Sequence, residues 1–165
     1  MPVAALVAVG LFFVADHSSS AKPTPSSAST TPPAPLPAIT VSPVHRTAVA
    51  DRFCPDLLAA MPYTLNGLAR REVNSPGQYA IAWGAPPVIV RCGLPRPAGF
   101  VVGTGVQQIG KVQWFPPDGP TWTAVDRDVY VSVTVPDGGD AMGALTDVGA
   151  VIAKKLPARP LHHAR

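Results

Sequence analysis

Six side chains stand out for what they could bind. Arg70, Arg71, Arg91 and Arg127 lie beside predicted strands, and Trp83 and Trp114 lie within them. A guanidinium offers a planar fork of donors to an anion, and an indole face stacks on sugars or cations. Together these residues would suit a groove for an anionic wall polymer or a partner peptide. The plainer expectation is that the tryptophans belong to the core. The arginines would then pair with neighbours such as Asp126 and Asp128.

Other chemistries find little support. The chain has no G-x-S-x-G, no HExxH, no phosphate-binding P-loop and no dinucleotide fingerprint. Glu72 is the sole glutamate, and the aspartates fall mostly in predicted turns and caps. Gly103-Thr104-Gly105 resembles a phosphate loop only on the surface and reads as a flexible turn. The histidines, His17, His45, His162 and His163, do not stand at metal-ligand spacing to a cysteine. No catalytic residue, no metal ligand and no cofactor is expected, and the chain does not read as an enzyme. The alternative kept open is a cell-wall hydrolase or transferase with an unrecognised site.

The two cysteines carry more information. Cys92 sits at the polar end of the apolar run PVIVRCG, and Cys54 sits in RFCPDLL at the start of a predicted helix. In an oxidising compartment an even pair of cysteines usually forms a disulfide. With two there is one connectivity, Cys54 to Cys92, which would pin the helix to the sheet. Closing that loop should stabilise the fold by roughly 3.5–4 kcal/mol on the chain-entropy account.

The elements that must position these residues follow from apolar periodicity. A helix is expected over Asp51 to Met61, with Asp51 as cap, Pro55 in the first turn and Pro62 as stop. Its apolar stripe is Phe53, Leu57, Leu58 and Met61. GLARREVN forms a short segment ending in turn residues. QYAIAWG alternates, with Tyr79, Ile81 and Trp83 on one face, and VIVRCG reads as a buried strand after a Gly-Ala-Pro-Pro turn. FVVGTGVQQIG is ambiguous. KVQWF, TWTAVD and DVYVSVTVP are further strands. In the last, Val129, Val131, Val133 and Val135 should face a core, and Tyr130, Ser132 and Thr134 should face water. A second helix is expected from Gly139 to Leu156, capped by Asp137. Its stripe is Met142, Leu145, Val148, Ile152 and Leu156. The fold class is α+β: a mostly antiparallel sheet covered on one face by two helices.

Ahead of this domain, residues 1–15 form an apolar run. As a helix it covers roughly 21 Å, short of a ~30 Å hydrocarbon core, and it reads as a signal peptide or membrane anchor. The basic residues that ordinarily precede such a run are absent, which points to a true start upstream of Met1. Ser19-Ser20-Ala21 offers a weak cleavage site. Residues 16–43 are Ser, Thr, Pro and Ala almost throughout and read as a disordered linker. The domain then spans 44–158, and 159–165 reads as a frayed tail.

Charge narrows the partners. The formal net charge is +3, but residues 44–158 hold ten Lys and Arg against nine Asp and Glu by our count of the sequence, about +1. Without a concentrated basic face, nucleic-acid binding is not expected.

The order of blocks is itself distinctive. Cys54 to Pro62 (C-P-x-L-L-x-x-x-P), Arg70-Arg71, A-W-G-x-P at Ala82 to Pro86, the R-C-G block at Val88 to Gly93, Trp114-Phe115, and Arg127 to Pro136 follow one another. This pattern resembles domain of unknown function 3515, a family of small exported or membrane-anchored proteins of mycobacteria and their relatives. The resemblance covers most of the domain and none of the N-terminal segment. It implies an extracytoplasmic protein of the cell envelope, secreted or anchored to the membrane by its N-terminal segment. It supplies no activity. The expected function is a non-catalytic binding or structural module whose partner is an envelope protein or a cell-wall component.

Overall fold

The computed structural model describes residues 35–43, 45–116 and 119–161. They fall within one unit, Ala34–Arg165. The apolar run 1–15, the linker up to residue 34 and the tail beyond residue 161 lie outside the described residues.

Helix α1 spans Ala48–Ala59. It starts three residues before the expected point, because Thr47 is its cap: Thr47 Oγ1 accepts from the Ala50 amide at 3.1 Å. Asp51 is thereby left inside the helix with its carboxylate free for other partners. Pro55 falls in the second half of the helix rather than its first turn. The amide it lacks leaves the Asp51 carbonyl without its helical donor. The position is exposed, so water can serve instead.

The strands are β1 (Thr64–Leu65), β2 (Leu68–Arg71), β3 (Ala80–Trp83), β4 (Val88–Leu94), β5 (Gln107–Ile109), β6 (Val112–Phe115), β7 (Thr121–Ala124) and β8 (Tyr130–Thr134). They form one eight-stranded sheet in the order β1-β2-β3-β4-β8-β7-β6-β5, with every named pairing antiparallel. Two meanders, β1 to β4 and β5 to β8, thus meet at the β4–β8 pair. GLARREVN, expected as a short segment ending in turn residues, supplies the second arm of a hairpin turning at Asn66-Gly67. Both turn residues have positive φ, 49° and 76°. The ambiguous FVVGTGVQQIG ends in β5.

Register decides what each face holds. Ile81 pairs with Val90, Trp83 with Val88, Cys92 with Val131, and Val133 with both Val90 and Trp122. These side chains point to one face, where α1 and α2 lie. Helix α2 spans Ala141–Lys155 and is capped by Asp140, which accepts from the Gly143 amide at 2.9 Å, not by Asp137. Its buried side is Ala144, Leu145, Val148, Gly149 and Ile152, whereas Met142, assigned to the stripe by spacing, is 57% exposed. The α+β class with a mostly antiparallel sheet and two helices holds.

The opposite face carries two rows. Phe115, Thr123, Ser132, Arg91 and Ala80 form one, and Thr121, Thr134, Ile89, Ala82 and Arg71 form the other. It is not a simple water-facing surface. Ser132 is 1% exposed and Thr123 7%. Phe100, fully buried, packs on Phe115 with ring centroids 5.7 Å apart. Over Arg71 and Arg91 runs an N-terminal strap of residues 37–42. Ile39 pairs in parallel with Val73, the Ile39 amide donates to Glu72 O, and the Val41 amide donates to Ser75 Oγ at 2.7 Å. These residues were expected to be linker. At the other end, the Arg159 amide donates to Asp126 O and its Nε to Asp128 Oδ1, so the first residue of the expected tail is held.

Candidate functional site

Cys54 and Cys92 are bonded, with Cα atoms 5.6 Å apart. Both are buried, and the bond ties α1 to β4. Such a bond is characteristic of proteins that fold in an oxidising, extracytoplasmic environment. β4 does not end at Cys92. The register shifts between Cys92 and Leu94, and Gly93, with φ 88°, forms the bulge that turns Leu94 onto the opposite face.

The six residues singled out for binding do not share a surface. Trp83 and Trp114 are fully buried on the helix side of the sheet. Trp83 Nε1 donates to Pro62 O at 3.0 Å, while Trp114 Nε1 has no partner among the described residues. Arg127 is buried. Its Nη1 meets Asp126 Oδ2 at 2.6 Å, and its Nη2 donates to Lys111 O at 2.7 Å. The bond to Lys111 O ties the loop before β8 to the β5–β6 turn. Arg71 donates to Pro37 O at 2.6 Å and Gly84 O at 3.1 Å. Arg91 Nη2 donates to Ser42 O at 2.6 Å, and burial pulls its pKa below the usual arginine value. These two arginines therefore act together, on the chain's own strap. Arg70 stays exposed, its guanidinium 5.7 Å from the Tyr63 ring centre. The pairing of Arg127 with Asp126 matches the plainer expectation. The adjacency in sequence was the signal, since two neighbours can pair only where the backbone bends.

A second polar cluster sits at the start of α1. Asp51 Oδ1 accepts from Arg46 Nε and Nη2, at 2.9 and 2.7 Å, and from the Tyr79 hydroxyl at 3.0 Å. The Arg46 hydrogen bonds, with the Tyr79 bond second, hold the Asp51 carboxyl below its ordinary value. Burial first, then the bond to Asp51, raises the Tyr79 phenol. Arg46 also lies over the Tyr79 ring, 4.8 Å from its centre. The cluster ties the chain ahead of α1 to the approach to β3.

A concave surface with a mostly apolar lining lies where α1 meets the β4 bulge. A hollow of 430 Å³ is lined by His45, Thr47, Val49, Leu94, Asp128, Val129 and Tyr130, with Gly93 at the bulge. A smaller hollow of 280 Å³ shares Val49 and Asp128 and adds Arg52, Phe53 and Arg159. The larger volume falls in the ~300–1,000 Å³ range of small-molecule sites. Sequence reasoning missed these residues. The one available signal was Gly93, a glycine inside a strand pattern, which marks a bulge or a close backbone approach. Among the described residues, no group of three His, Cys, Asp or Glu is placed to hold a metal ion, and no helix is long and apolar enough to cross a membrane.

No curated protein and no solved structure matches the chain. A family model does, over residues 1–161, so that both the disulfide-tied domain and the N-terminal segment fall within the match. The chain belongs to the family described as Protein of unknown function (DUF3515).

Proposed function

We propose that the protein is exported and serves in the cell envelope of an actinobacterium as a non-catalytic module that binds an envelope protein or a cell-wall component. Its N-terminal apolar run acts as a signal peptide or as a membrane anchor. The observation that carries this reading is the buried Cys54–Cys92 disulfide. A bond of that kind persists in extracytoplasmic compartments and is rare where thiols are kept reduced. The apolar run and the Ser/Thr/Pro-rich stretch behind it are the parts of an export signal and a spacer. The buried Asp126–Arg127 pair supports a structural rather than catalytic use of charge, because both side chains are closed off from solvent.

The test is the intact mass of the protein recovered from its native host, with and without reduction and thiol alkylation, in secreted and membrane fractions. A mass lower by two hydrogens than the dithiol is expected. The N-terminus should lie near residue 22 if the run is cleaved, and the full chain should sit in the membrane fraction if it is retained. Free thiols in a soluble, unprocessed chain would overturn the reading.

A further inference from the structure

Resting on the geometry of the groove alone, and not on where the protein resides, we propose that the paired hollows beside α1 bind a small amphiphile: an apolar tail carrying a single anionic head group. Leu94, Val129 and the Tyr130 ring, with Val49 at the shared wall, give the larger hollow an apolar lining. Burying such a surface under an apolar ligand is favourable at roughly 25 cal/mol per Å² removed from water.

The charge sits at one end. The smaller hollow holds Arg52, Asp128 and Arg159. Arg159 Nε donates to Asp128 Oδ1 at 2.9 Å, so those two charges answer each other. Arg52 forms no ion pair among the described residues, and its guanidinium lies over the Phe53 ring, 5.2 Å from the centre. Two cations against one carboxylate leave one positive charge beside the apolar trough. His45, across the larger hollow, is the remaining titratable group on the lining besides Tyr130. One net cation next to an apolar slot selects against a neutral or cationic head and fits a carboxylate, sulfonate or phosphodiester. The bulge shapes the slot. Gly93 and Leu94, at the register shift, and Tyr130, the partner of Leu94, all line it.

The same chemistry comes from a free fatty acid or from an anionic phospholipid. The full chain, oxidised and held in phosphatidylcholine vesicles, is irradiated with diazirine-bearing decanoic acid, decanol or decyltrimethylammonium. In a separate arm the vesicles carry a photoreactive phosphatidylglycerol. Peptide mass spectrometry locates the label. The acid or the phosphatidylglycerol should label peptides containing Val49, Leu94 or Tyr130 at least fivefold more than the alcohol or the ammonium. Whichever labels names the source. Arg52→Gln should cut that labelling at least fivefold. Val49→Glu should abolish it, and unchanged melting of both variants separates loss of the site from loss of the fold. Equal labelling by acid and alcohol, labelling confined to other peptides, or labelling indifferent to both substitutions would overturn the proposal.

Discussion

Gly93 lies directly beneath Ala50: a Cβ placed on Gly93 would stand 2.6 Å from the Ala50 Cβ. Non-bonded carbons do not tolerate that separation, and Gly93 also has φ 88°. Gly93→Ala should therefore destabilise the fold by about 2–5 kcal/mol, summing backbone strain and overpacking. Gly103 has the same φ, but nothing lies within 4 Å of its Cβ position. Gly103→Ala should cost only about 1–2 kcal/mol. Urea unfolding of the two variants side by side isolates the α1–β4 contact.

The disulfide closes a loop with a sequence separation of 38. Cys54→Ser with Cys92→Ser should lower unfolding stability by about 4 kcal/mol on the chain-entropy account. The urea midpoint of the oxidised wild type, its reduced form and the double variant should rank in that light, with the last two close together.

Arg127→Met leaves the Asp126 carboxylate buried without its cation and frees Lys111 O. A loss of about 3–5 kcal/mol is expected. Asp126→Leu combined with Arg127→Met should recover much of that loss, because an apolar pair needs no compensating charge. The coupling energy from a double-mutant cycle in urea reads this directly.

The Asp51 carboxyl is held low, by Arg46 first and Tyr79 second. A depressed carboxyl stabilises the fold above its unfolded-state value, and that contribution is lost as pH falls through the folded value. The melting temperatures of wild type and Asp51→Asn should therefore differ at neutral pH and converge below pH ~4. The difference will be small, since Arg46 and Asp51 are about half exposed, 46% and 48%. On the alkaline side Tyr79, raised chiefly by burial, keeps its contribution until pH passes ~10.

Arg71→Ala should loosen the strap without unfolding the domain. Exchange of the Ile39, Val41 and Asn74 amides should quicken roughly five- to tenfold, as expected for losing hydrogen bonds worth about 1 kcal/mol to local opening. Exchange in β4 and β8 should be unchanged.

What the sequence made legible was periodic and local. The Val129–Val135 alternation located β8 and its core face, because one side chain in two must be apolar when one face packs. The cysteines fixed their own partner. Helix starts were less readable, since Thr47 and Asp51 are both competent caps, as are Asp137 and Asp140, and tertiary context chose the first of one pair and the second of the other. The strap was missed because a Pro- and Thr-rich stretch carries few apolar residues. Ile39 and Val41 suffice once Arg71, Ser75 and Arg91 bond its backbone, and that requirement is invisible until β2, β3 and β4 are side by side. The same fact accounts for the arginines. Read as free donors, Arg71 and Arg91 suggested a ligand, and the donors are used on backbone carbonyls. Of the groove only Gly93 left a mark in the sequence, because the lining comes from four separate stretches of chain.

The Cys54–Cys92 bond also sets how the domain answers to force. β1, β2, β3 and β4 as far as Cys92 lie between the two cysteines, so a pull on the chain ends passes through the sulfurs and bypasses them. The sequence separation of 38, at ~3.3–3.6 Å per extended residue, withholds about 130 Å of contour length. The oxidised domain is a short, stiff link whose first meander bears no load. Reduction turns the same chain into one that can pay out that hidden length.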